Sequence, residues 1–123
     1  MRKIYSLVIL AVIMLISPIY AYPSLDDNGD LPVIGSKLER ELRMKADKGD
    51  IEAQFKLGEI FEEGREVPRD YYEASRWYRS AAEKNHPEAQ NNLGVLYLKG
   101  WGVLHSYKEA LYWLNKAGDN GSI

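Results

Sequence analysis

Two stretches of this chain repeat each other without a gap. AQFKLGEIFEEGREV (53–67) aligns on AQNNLGVLYLKGWGV (89–103), with identities at Ala53/Ala89, Gln54/Gln90, Leu57/Leu93, Gly58/Gly94, Gly64/Gly100 and Val67/Val103. The register continues through Tyr71/Tyr107, Glu73/Glu109, Ala74/Ala110, Trp77/Trp113 and Ala81/Ala117, a period of 36 residues. A period of that size marks supersecondary units that bury their apolar faces only by stacking on neighbours.

Each unit reads as two helices. Asp50 caps the first helix of unit one ahead of Ile51. In unit two His86 takes the cap and Pro87 the first helical position, where a missing N–H costs nothing. Ala53, Leu57 and Phe61, like Ala89, Leu93 and Tyr97, recur at four-residue spacing and make an apolar stripe. DYYE (70–73) and SYKE (106–109) open the second helices as capping boxes, in which a side-chain oxygen and a glutamate three residues on satisfy free N–H groups. Ala74, Trp77, Tyr78 and Ala81, matched by Ala110, Trp113, Leu114 and Ala117, form the second buried face. Ser36, Glu39, Leu38, Leu42 and Ala46 indicate one preceding helix that covers unit one. A mid-helix glycine costs about 1 kcal/mol relative to alanine, so Gly58 and Gly94 are expected where a neighbouring helix comes too close for a side chain.

The remaining composition fixes the setting. MRKIYSLVILAVIMLISPIYA joins Arg2 and Lys3 to an uncharged apolar run, Pro18 and Ala21, the layout of a secretory signal peptide cut after Ala21. An apolar stretch of this length could also anchor in a bilayer, but Pro18 and the uncharged, tyrosine-rich exit favour cleavage. Without Arg2 and Lys3 the 16 basic residues fall to 14 against 18 acidic, a net charge of −4. Such a chain is a poor ligand for nucleic acid, whose backbone demands a basic surface. No stable membrane insertion is expected after processing. With no cysteine there is neither a lipid-attachment thiol nor a disulfide staple, and packing alone must hold the fold. The organisation expected is a signal peptide (1–21), a linker (22–35), a covering helix (36–48), repeat one (49–84), repeat two (85–118) and the start of an incomplete third repeat (119–123).

The pattern AQ, LG, an aromatic residue, G-x-G-V, an acidic residue, Tyr, then Ala, Trp and Ala resembles the Sel-one-like repeat, a relative of the tetratricopeptide repeat, over roughly Lys45 to Ala117. The resemblance implies an all-α fold, a short right-handed solenoid of antiparallel helix pairs. Two departures stand out: Glu66 replaces the second loop glycine of unit one, and Leu104 stands where unit one has Pro68. The resemblance also implies a non-catalytic scaffold that binds a protein partner, such as an envelope enzyme or regulator, in a periplasmic or secreted setting. A cell-wall-ligand binder or hydrolase and a secreted effector binding a host protein are the alternatives. The cysteine-rich members linked to cell-wall-type ligands form a branch from which this cysteine-free chain departs.

No catalytic constellation emerges from the residues. His86 at a cap and His105 in a loop read as solvated turn residues without metal-ligand spacing. Glu59, Glu62 and Glu63 read as a solvated helix face rather than an acid–base pair. Gly100-Trp101-Gly102 lacks the basic residue and hydroxyl of a phosphate loop, so its glycines are turn residues of positive φ. No cofactor, metal or catalytic residue is expected. Since the resemblance places the first helix of each unit on the inner, concave surface, the expected protein-binding residues are Glu52, Phe55, Glu59, Glu62, Asn91, Val95 and Leu98. Phe55, Val95 and Leu98 are apolar where a purely solvated face would carry charge, unless neighbouring helices bury them.

Overall fold

The structure, a computed structural model, describes residues 35–65 and 67–121. The expected signal peptide, nearly all of the linker, and Glu66 lie outside them. The described residues form five helices and no strand: α1 (Lys37–Asp47), α2 (Ile51–Glu63), α3 (Tyr71–Glu83), α4 (Pro87–Lys99) and α5 (Tyr107–Asp119). Each helix packs on the next in sequence, so the chain builds a short solenoid whose core lies between successive layers.

Caps set the boundaries. Ser36, Asp50, Asp70 and Ser106 each accept, through a side-chain oxygen, the N–H three residues on, and His86 does the same through Nδ1 at 3.1 Å from the Ala89 N–H. The reciprocal half of the expected capping boxes takes another form. The N–H groups of Asp70 and Ser106 donate to the carbonyls of Phe61 (2.9 Å) and Tyr97 (3.1 Å) on the preceding helix. Those bonds close each inter-helix loop and leave Glu73 to pair with Arg76 at 2.8 Å.

The two helical glycines sit at crossings. A Cβ on Gly58 would fall on the Tyr78 ring, and one on Gly94 would lie 2.7 Å from Leu114 Cγ and 3.2 Å from the Ala110 carbonyl. Burial and dispersion gained along these crossings offset the propensity loss. Gly102, at φ +68°, would drive a Cβ into the Tyr71 backbone, so this loop position combines a left-handed conformation with direct apposition to the start of α3.

The AQ pair ties layers together. Buried Gln54 donates to the Ala46 carbonyl at 3.1 Å and accepts from Lys84 at 3.3 Å. Its repeat partner Gln90 donates to the Ala82 carbonyl at 3.0 Å and accepts from Asn120 at 2.9 Å. Gln90→Met, which keeps the volume and loses both bonds, is expected to cost about 1–2 kcal/mol, measured by urea unfolding.

The same register describes both ends of the array. Because Ala46 receives Gln54 as Ala82 receives Gln90, α1 occupies the register of a second helix of a unit, and it buries Glu39 while Leu38 stays 47% exposed. At the other end α5 continues past Gly118 to Asp119, with Asn120 as its cap. Gly121 has a positive φ of 86°, like Gly49 at 94° and Asn85 at 66°. Residues 118–121 therefore finish unit two. Ser122 and Ile123, which fall in register with Asp50 and Ile51, lie outside the described residues.

Candidate functional site

The seven residues expected on the concave face come from equivalent positions of α2 and α4: Phe55 pairs in register with Asn91, Glu59 with Val95, Glu62 with Leu98. Glu52 pairs with Glu88, which the 36-residue register sets beside the expected residues although it is not among them. Contacts bring the two helices together. His86, at the start of α4, stacks on Phe55 with ring centroids 4.4 Å apart, and its Nε2 lies 3.4 Å from Glu52 Oε2.

Those contacts revise two expectations. Phe55 is only 8% exposed, sandwiched between His86 and the Tyr78 ring at 5.8 Å, so it is a core residue that holds α4 against α2 and not an open anchor. The His86 side chain is 12% exposed and engaged at both nitrogens, so it is a structural cap rather than a solvated turn residue.

The others keep an open or half-open surface. Glu52 is exposed and pairs with Lys56 at 3.7 Å. Glu59 and Glu62 are half-buried, as are Asn91 and Val95; Leu98 is 44% exposed. Glu62 accepts a 2.5 Å hydrogen bond from the Tyr78 hydroxyl, the ring of which crosses Gly58. In unit two the same pair of positions is Leu114 and Leu98, so a polar clasp in one repeat becomes an apolar pair in the next.

Glu59 reports the electrostatics of this face. Its carboxyl is held above the ordinary carboxylate range, first by partial burial, then by Glu63, Glu52, Glu88 and Glu62. Carboxylates of both helices contribute to that shift, and Val95 and Leu98 stand on α4 at the register positions of Glu59 and Glu62. Ionising a group whose pKa is raised on folding costs stability, and the cost disappears as pH falls through that pKa. Glu59→Gln is therefore expected to melt at or above the wild-type temperature at pH 7, with the difference closing on acidification; melts across pH check this. Among the described residues no group of three or more His, Cys, Asp or Glu is placed to hold a metal ion, and no helix is long and apolar enough to cross a membrane.

The Sel1 repeat matches the sequence twice, over residues 51–86 and 87–122. The similar solved structures include these two. A Sel1 repeat protein from Oxalobacter formigenes is 38% identical with a TM-score of 0.66, over 68% of this chain and 34% of its own. Helicobacter pylori cysteine rich protein B is 27% identical with a TM-score of 0.66, over 69% of this chain and 64% of its own. The matched region thus spans about a third of the first protein and under two thirds of the second. No curated protein matches the sequence. The Helicobacter protein is named for its cysteines; the present chain, with none, holds the same layered architecture by packing.

Proposed function

Because the chain belongs to the Sel1 repeat family, whose members are helical repeat scaffolds for protein interactions, we propose that it is an exported, non-catalytic scaffold that binds a protein partner through the α2–α4 face. The observation that carries this reading is the run of carboxylates Glu52, Glu59, Glu62 and Glu63 along α2, with Glu88 on α4, and half-buried Val95 and exposed Leu98 at the register positions of Glu59 and Glu62. Like charges so placed repel one another and are relieved by a cationic ligand, and an apolar side chain in the open gains by burial. The partner is a basic segment with apolar anchors, an amphipathic helix being the form that presents both at once. Salt slows the encounter by screening the carboxylates.

Affinity capture under envelope conditions, with wild type and Leu98→Asp as parallel baits, tests it. A partner held by wild type, eluted by salt and missing from the folded Leu98→Asp bait supports the face. A partner held equally by both removes it.

Arg2, Lys3, the apolar run and Ala21 support export, with a mature terminus at Tyr22 and action in the periplasm. Mass analysis of the N-terminus in fractionated cells is expected to find Tyr22 first. An intact Met1 in the membrane fraction would make the chain membrane-anchored.

A further inference from the structure

The covering helix α1 and the second helix of unit one, α3, stand one period apart and differ at one buried charge, and a hollow marks the difference. In the first layer Arg43 clasps buried Glu39, with Nε at 2.7 Å and Nη2 at 2.6 Å from Oε1, and its guanidinium lies over Phe61 and Trp77. One period later Arg79 occupies the place of Arg43 and Tyr97 that of Phe61, again with the guanidinium over the ring, 5.6 Å from its centroid. The carboxylate is missing, because Ser75 stands at the position of Glu39. Ser75 is as buried as Glu39, 4% exposed in both cases, and its hydroxyl turns back to the Tyr72 carbonyl at 2.7 Å. Among the described residues Arg79 donates to the Tyr97 hydroxyl and makes no ion pair.

Beside it lies a hollow of about 640 Å³, lined by Ser75, Arg79 and Tyr97 together with the Gly102–Leu104 loop. Arg76 and Glu109 also line it, but Arg76 is already paired with Glu73. Tyr72 and Leu104, 62% and 91% exposed, also line it.

We propose that this hollow receives a carboxylate carried by a bound peptide, with Arg79 as its counter-ion and Tyr72 and Leu104 beside an adjoining apolar side chain. A guanidinium presents several N–H donors in a fixed fork, of which the Tyr97 hydroxyl takes one, and a carboxylate is the acceptor that matches the rest in shape and charge. In α1 the same fork meets a carboxylate of its own helix; α3 leaves that place for one supplied from outside. This site is separate from the α2–α4 face and does not depend on it.

The test uses the full chain and small probes: N-acetyl-leucine for a terminal carboxylate, acetyl-Leu-Glu-amide for a side-chain carboxylate, and N-acetyl-leucinamide, which has neither. Titration is followed by the NMR signals of Arg79 Nε–H and the Gly102 amide. At least one acid probe is expected to move both signals saturably, the stronger of the two identifying the source, while the amide probe binds at least tenfold more weakly. Ser75→Glu, which reproduces the tethered carboxylate of α1, is expected to weaken acid binding at least tenfold with the melting temperature unchanged or raised. Should that variant fail to fold, Arg79→Gln gives the same reading by removing the counter-ion. No saturable shift with either acid, equal binding of the amide probe, or undiminished binding in whichever of these variants is folded would overturn the proposal.

Discussion

Truncating Tyr78 to alanine is expected to lower stability by about 3–5 kcal/mol, the range for loss of a large buried aromatic. Tyr78 is fully buried, its ring crosses α2 at Gly58 and meets Phe55, and its hydroxyl ends on Glu62. Removing it opens a void between the two helices of unit one and strips a half-buried carboxylate of its donor. Burial, and then the hydrogen bond to Glu62, push the phenol well above its ordinary pKa, so it remains a neutral donor throughout the working range of a protein. Tyr78→Phe keeps the packing and is expected to cost about 1–2 kcal/mol, the share of the hydrogen bond alone. Urea denaturation of the three proteins separates the two contributions.

The second large effect is at the crossing itself. Gly58→Leu is expected to destabilise by about 3 kcal/mol, the upper part of the range for overpacking, because the side chain would have to displace a fully buried ring. Gly94→Leu is expected nearer 1–2 kcal/mol on the same scale, since Leu114, which faces it, is only half-buried and can change rotamer. Alanine sharpens the contrast: at position 94 the recovered helix propensity offsets much of the strain, whereas at 58 the Tyr78 ring has nowhere to go. Thermal melts of the four variants check the order. Equal losses at 58 and 94 would mean that the identity of the facing residue does not matter.

The period of 36 residues, the helix starts and the packing stripes were legible because each depends on short-range chemistry. Asp50, Asp70, His86 and Ser106 act on N–H groups three residues away, and Leu57 and Leu93 mark their stripe by spacing alone. The glycines at 58 and 94 were legible for a related reason, since a costly residue repeated in register implies a compensating contact. What depends on a residue far along the chain was less accessible. Phe55 lies beside the stripe and reads as groove lining; His86, thirty-one positions later, covers it. The same holds for the end of unit two, where residue 119 is expected to open a further repeat and the Asn120 cap of α5 reaches back to Gln90, thirty positions earlier. Glu88 and the exchange of Glu39 for Ser75 were visible in register, but their meaning appears only once Glu59 and Arg79 are seen in place.

Recognition by the α2–α4 face is tested most directly by titrating a captured partner against wild type, Leu98→Ala and Phe55→Ala, with melting temperatures measured in parallel. Leu98→Ala is expected to weaken binding by about 2 kcal/mol, near thirtyfold, as an apolar anchor does, with the melting temperature unchanged. Phe55→Ala is expected to lower the melting temperature first, by loss of the His86 and Tyr78 contacts. Unchanged affinity in a fully folded Leu98→Ala protein, together with affinity insensitive to Glu59→Gln and to salt, would contradict binding at this face.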